Sequence, residues 1–242
     1  LTYSSSSSCG FSADGSITGS IESLGLHVGA VTSSHGGIGA AIKSAAHIGG
    51  ITAYGGISGR IEAATYIGSL AETGSGILAR YGPINSSEII TGDYLGAVRA
   101  GENIESPMTI PGRIVTIHAG TQGIGTISGN INVGGTIDSL IAQDIGRLPE
   151  VPAGVARPRP RRIDGSSGDI TGTIHAGGTI GLLHAFGNLA LVDAEGSLSE
   201  VKVGGDATGT INALGVIDAD VWGSTEQPIL ATDNIDLHAY KT

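Results

Sequence analysis

Gly168-Asp-Ile-Thr-Gly-Thr-Ile174-His-Ala-Gly-Gly-Thr-Ile180-Gly-Leu182 decides the fold. Taken at every second residue, Ile170, Gly172, Ile174, Ala176, Gly178, Ile180 and Leu182 form one small, apolar face. Thr171, Thr173, His175 and Thr179 form the other. A period of two is the pattern of a β-strand, because successive side chains point to opposite sides of the backbone. A helix fits poorly, since each interior glycine costs it about 1 kcal/mol. The same division separates Ile127, Gly129, Ile131 and Val133 from Ser128, Asn130 and Asn132. It separates Ile57, Gly59, Ile61 and Ala63 from Ser58, Arg60 and Glu62 as well.

The stretch belongs to a repeat. Gly15-Ser-Ile-Thr-Gly-Ser-Ile21 returns as Gly55-Gly-Ile-Ser-Gly-Arg-Ile61, Gly125-Thr-Ile-Ser-Gly-Asn-Ile131, the Gly168 segment and Gly205-Asp-Ala-Thr-Gly-Thr-Ile211. Gly92-Asp-Tyr-Leu-Gly-Ala-Val98 reads as a weaker sixth copy. Secondary repeats, Gly135-Thr-Ile137 and Gly178-Thr-Ile180, fall between the main ones. The sequence therefore predicts an all-β parallel β-solenoid, taken as a right-handed β-helix only because that is the commoner type, with about 18 to 20 residues per coil and like residues stacked about 4.8 Å apart. Glycine between the paired isoleucines lets the chain cross a crowded interior, and the Gly-Gly pairs at 49–50, 134–135, 177–178 and 204–205 are expected to turn corners at positive φ.

Composition agrees. There are 42 glycines in 242 residues, about 17% against a usual 7%. Aromatic residues make up 4%, so the apolar interior must come from Ile, Val, Leu and Ala. The expected organisation is an N-terminal tether or cap over 1–14, a β-helix over 15–225, and a C-terminal cap or tail over 226–242. Pro149, Pro152, Pro158 and Pro160 forbid a central strand and mark 148–162 as a projecting Pro/Arg-rich loop. The net charge of −10 argues against nucleic acid as a partner, and no apolar run approaches the roughly 18 residues of a membrane span. Cys9, the single cysteine, has no internal partner but can link chains. The start at Leu1 fits a piece of a longer precursor.

The Gly-x-Ile-Thr/Ser-Gly-x-Ile units resemble the β-helical repeat regions of large secreted bacterial surface proteins, including filamentous-haemagglutinin-like adhesins. The resemblance implies export and a role as a stalk, matrix component or adhesive filament, and it brings no catalytic residues with it.

Candidate chemistry is sparse. The Arg157-Pro-Arg-Pro-Arg-Arg162 run does not meet the Arg-x-Pro-x-x-Arg pattern of pectate-lyase-like chains, and neither the metalloprotease His-Glu-x-x-His nor the calcium-binding glycine-aspartate nonapeptide occurs. The strongest acidic pair is Asp218 and Asp220, expected outward on one strand some 7 Å apart while Ile217, Ala219 and Val221 point inward. That spacing suits an inverting glycosidase, and carboxylates also suit Ca2+; Asp233 and Asp236 join if the last coil folds back. A solvated acidic face is the plainer reading. Arg157, Arg159, Arg161 and Arg162 form a stiffened basic segment for an anionic glycan or an acidic neighbour, or simply a solvated loop. His118 and His175 share Thr-Ile-His-Ala-Gly contexts and are expected on one ladder about 14 Å apart, too far to share a metal.

The function expected is an extracellular or cell-surface structural or adhesive module without catalysis or cofactor, with copies of itself or other surface proteins as partners. The alternatives are a polysaccharide lyase or hydrolase using Asp218 and Asp220, and a non-catalytic glycan-binding module using the arginines.

Overall fold

A computed structural model describes residues 2–5, 9–70, 75–143 and 168–239. These residues form a parallel β-solenoid of about 10 turns with no helix. Two eleven-stranded parallel sheets run along it. The first takes every other strand, from Thr2–Ser5 and Ser20–Ser23 to Ile211–Ala213 and Ile229–Ala231, and the second runs from Cys9–Ala13 and Val28–Ser33 to Ile217–Val221 and Ile235–Ala239. A third ladder of single parallel bridges passes from Ile17 through Ile38 and Ile57 to Leu189, Ala207 and Thr225. Between the later coils hydrogen bonds join residues 18 or 19 apart, the coil length the repeat implies, whereas earlier coils are longer, as between Ile57 and Ile84 or Ile104 and Ile127.

The repeated motif is the corner between the bridge ladder and the first sheet. In Gly168–Ile174, Ile170 is the bridge residue and Ile174 opens the next strand; both are fully buried. Secondary repeats open strands of the second sheet at Ile137 and Ile180. Each coil thus sends aliphatic side chains into one continuous core that runs the length of the stack.

Strict alternation fails in one place. Six-residue strands of the second sheet keep two successive residues out of the core, so in Ile180–Ala185 it is Leu183, not Leu182, that is buried. Two expectations about the repeat also change. Gly92–Val98 is out of phase, because Leu95 and Val98 sit within the second sheet rather than at the bridge corner. Ile127 pairs directly with Ile170, and residues 144–167 between them, which include the expected 148–162 loop, lie outside the described residues.

Glycine works here by close approach more than by turning. A Cβ on Gly59, Gly129 or Gly172 would come 1.8, 2.1 or 2.2 Å from a carbonyl oxygen of the preceding coil. The Gly-Gly pairs do not turn at positive φ: Gly134, Gly177 and Gly204 are needed because a Cβ would lie 2.2 to 2.3 Å from the carbonyl beneath. Among the described residues positive φ occurs at Gly19 (φ 99), Gly68 (φ 76), Gly76 (φ 148), Gly120 (φ 83) and Gly168 (φ 75), none of them in a Gly-Gly pair.

Candidate functional site

Asp218 and Asp220 lie on the Ile217–Val221 strand, where Ile217, Ala219 and Val221 are buried, Asp218 is exposed and Asp220 is partly covered. Around them the outer face of the second sheet is a grid of charge. Asp218 stands in register with Asp236, and Asp220 with Lys202 on one side and His238 on the other. Lys202 Nζ donates to the Glu200 carboxylate, and His238 Nε2 lies 3.5 Å from Asp236 Oδ1. Asp220 is therefore bracketed by cationic or protonatable neighbours, which favours its place in a cross-strand charge ladder. Asp233 lies in the bend just before the last strand. Among the described residues, no three His, Cys, Asp or Glu side chains come together as a metal site.

His184 is a perturbed group that sequence reasoning missed. It sits outward between Ile141 and Lys202 in the second sheet, its ring stacked on Phe186 at 4.1 Å. Burial, reinforced by Lys202 and opposed by Glu200, pushes its pKa down to about 4. The imidazole is thus neutral near pH 7, and burial under neighbouring side chains accounts for it without substrate chemistry.

His118 and His175 occupy different sheets. His118 pairs with Arg99 and Ile141 in the second sheet, whereas His175 pairs with Asn132 and Asp193 in the first. The bridge step from Ile127 to Ile170 departs from the even count of 19 residues per coil that puts them on one ladder. His175 Nδ1 lies 3.2 Å from Asp193 Oδ2, whose Oδ1 accepts a bond from Asn212 Nδ2 at 2.8 Å. His118 contacts Gln143 Oε1 at 2.5 Å, and burial lowers its pKa.

Two further structures run between coils. His27, His47, Tyr66 and Tyr94 stack face to face over four successive coils, with centroids 4.4 to 4.6 Å apart and planes within 9°. Each immediately precedes the first inward residue of its turn, Val28, Ile48, Ile67 or Leu95, and that shared position was the available signal. Because the inner rings cover one another's faces, the column shows mainly edges outward, unlike a platform on which a sugar ring stacks.

The other is an amide ladder. Asp169 Oδ1 accepts from the Asn188 backbone N–H at 2.6 Å, Asn188 Oδ1 from Asp206 N–H at 2.8 Å, and Asp206 Oδ1 from Ser224 N–H at 2.7 Å. These acceptors satisfy corner amides left outside the sheets. On the surface, Arg60 bridges Glu62 and Glu88, Lys43 approaches Glu62 at 3.6 Å, and Arg113 pairs with Asp138. Such exposed pairs are individually weak; Arg60–Glu88, Lys43–Glu62 and Arg113–Asp138 link neighbouring coils, whereas Arg60–Glu62 lies within one.

Arg157, Arg159, Arg161 and Arg162 lie outside the described residues. No helix among the described residues is long and apolar enough to cross a membrane. Comparison with protein-family models, curated proteins and solved structures gives no match.

Proposed function

We propose that this chain is an extracellular structural or adhesive module, a β-helical stalk, matrix or filament component of the kind its repeats resemble. The supporting observation is how the outward side chains are used. Along successive coils they bind mainly one another, through the His27–Tyr94 ring stack, the Asp169–Asp206 amide ladder and the cross-coil ion pairs. Such columns stiffen a rod lengthwise. They commit to neighbouring coils the groups that a catalytic site would hold for a substrate.

The test has two arms. Intact cells that make the protein are treated with an impermeant protease and probed with antibody; loss of the chain from the surface is expected, and full protection would contradict the reading. Purified protein is incubated with acidic and neutral polysaccharides, with and without Ca2+, beside the Asp218→Ala/Asp220→Ala double variant. No turnover is expected. Turnover lost in the double variant would make the chain an enzyme, and glycan binding lost on neutralising Arg157, Arg159, Arg161 and Arg162 would make it a binding module.

A further inference from the structure

We infer that Tyr54 and Tyr81 are a modification site, at which a one-electron oxidant of the haem peroxidase class, working with hydrogen peroxide, joins the two phenol rings as dityrosine. The link staples one coil to the next. The inference goes beyond the structural reading above and rests on the geometry of the rings.

Four of the six tyrosines meet in two cross-coil pairs, and the pairs differ. Tyr54 directly follows the Ile48–Ala53 strand, and Tyr81 comes two residues after Gly76–Ala79 on the neighbouring coil. Tyr81 N–H donates to Tyr54 O at 3.0 Å and Arg80 N–H to Ala53 O at 2.8 Å, so the backbone holds the two residues side by side. Their ring centroids lie 4.7 Å apart with planes tilted by 51°. Two rings joined by a carbon–carbon bond also have twisted planes, and their centroids are only slightly closer. Tyr54 is 45% exposed and Tyr81 48%, so an oxidant reaches both. Glycine follows each ring, Gly55 and Gly82, which leaves no side chain there to obstruct the swing that brings the two ring edges together. On the other side of Tyr54 stands His35, at 6.0 Å and 41°, a ring less readily oxidised than a phenol.

Tyr66 and Tyr94 make the contrasting pair. Their rings lie face to face at 4.6 Å with planes within 6°, and Tyr66 is also stacked on His47, so an edge-to-edge bond would require Tyr66 to leave its stack. Both are partly buried, whereas Tyr54 and Tyr81 are exposed. Burial, with Tyr66 and Asp93 beside it, also raises the Tyr94 pKa, which opposes the proton loss that accompanies oxidation.

Oxidation takes one electron and one proton from each phenol. The two phenoxyl radicals couple through ring carbons ortho to their oxygens, and the hydrogen on each coupled carbon then moves to the oxygen of its own ring, which restores both phenols. The two electrons and two protons released reduce one hydrogen peroxide to two water molecules, and the chain ends two hydrogens lighter. The strand pairing that the link reinforces is short. Gly76–Ala79 meets Ile48–Ala53 only through Ile51–Ile77, Thr52–Leu78 and Ala53–Ala79, whereas Val28–Ser33 meets Ile48–Ala53 at five positions. A covalent bridge there restricts the unfolded chain and so stabilises the folded one.

The test uses the full chain with Tyr3→Phe and Tyr240→Phe, so that only the four paired tyrosines remain. Dilute protein is treated with a haem peroxidase and hydrogen peroxide. The expected product is a single chain with the blue fluorescence of dityrosine, whose digest contains the Tyr54 peptide joined to the Tyr81 peptide. Tyr81→Phe should abolish that product, and Tyr94→Phe should leave its yield unchanged. Treatment in urea, where the coils no longer hold the rings together, should lose the link. The linked chain should melt several degrees above the unlinked one. No dityrosine, links only between separate chains, a link only between Tyr66 and Tyr94, or an equal yield in urea would overturn the proposal. A linked chain that melts no higher would overturn the staple. None of these outcomes touches surface exposure or glycan turnover, which test the structural reading separately.

Discussion

Ile127 pairs with Ile170 as a neighbour in the bridge ladder, although the whole 144–167 segment lies between them in the chain. The corner around that segment matches the next one: Phe186 N–H donates to Ala142 O and Gly187 N–H to Gly168 O, so Gln143 and Gly168 occupy the place of Phe186 and Gly187 one coil earlier. Joining Gln143 directly to Gly168 should leave the coils intact. Circular dichroism and thermal melting of the deletion variant are expected to reproduce the strand signal, with the midpoint within a few degrees. Loss of the cooperative transition would mean that 144–167 supports the core.

Glycine substitutions should divide by what lies beneath them. Gly172→Ala drives a methyl to 2.2 Å from Gly129 O, an overlap backbone must move to relieve, whereas a Cβ on Gly15 or Gly123 meets nothing within 4 Å. Urea denaturation should show Gly172→Ala losing about 2 to 4 kcal/mol and Gly15→Ala changing by less than about 1. Equal effects would contradict the close-approach explanation.

Thr91 is buried, and its hydroxyl has no hydrogen-bond partner among the described residues. Valine has the same shape without the polar group, so Thr91→Val should stabilise the chain by about 1 kcal/mol, read as a higher urea midpoint at unchanged slope. A loss of stability would show that the hydroxyl has a partner after all.

The amide ladder predicts the opposite sign. Asn188→Ala removes the acceptor of the Asp206 N–H and should cost about 1 to 3 kcal/mol, with faster hydrogen exchange at the Asp206 amide. Unchanged exchange there would contradict the ladder.

Acid should weaken the fold through histidines that the folded chain keeps neutral. His184 is held near 4, and His47 is lowered by burial and by the stacked His27. As pH falls below the ordinary value of 6.5, the unfolded chain takes up these protons first, so stability falls between about pH 6.5 and 4 and is fully present above that window. For His184 alone the loss is on the order of 2 to 3 kcal/mol. His184→Gln should flatten the fall in melting temperature between about pH 7 and 4.5; a parallel curve would contradict the assignment.

The sequence made the solenoid legible because Ile, Gly and Ile at alternate positions commit one side of the chain to a narrow interior, as at Ile170, Gly172 and Ile174. The coil length follows for the same reason. Alternation misled at Leu182 and Gly92–Val98, where the second sheet holds two successive residues outside the core, a phase change no period of two reveals. His118 and His175 fall on different ladders because the coils between them are unequal in length, a spacing that an even count does not reveal. The outward placement of Asp218 and Asp220 followed from alternation. The rings of His27, His47, Tyr66 and Tyr94 lie 19 or more residues apart in sequence and become one column only when the coils are in register.

That register is the claim on which the rest depends, and a distance along the axis measures it. Glu22 and Asn212 share the outward column of the first sheet, on strands eight places apart in the sheet order. Spin labels at Glu22→Cys and Asn212→Cys, in a Cys9→Ser background, should give a narrow electron–electron dipolar distance centred within several Å of about 38 Å, eight steps of about 4.8 Å. A broad distribution, or a distance below about 25 Å, would contradict the stacked solenoid.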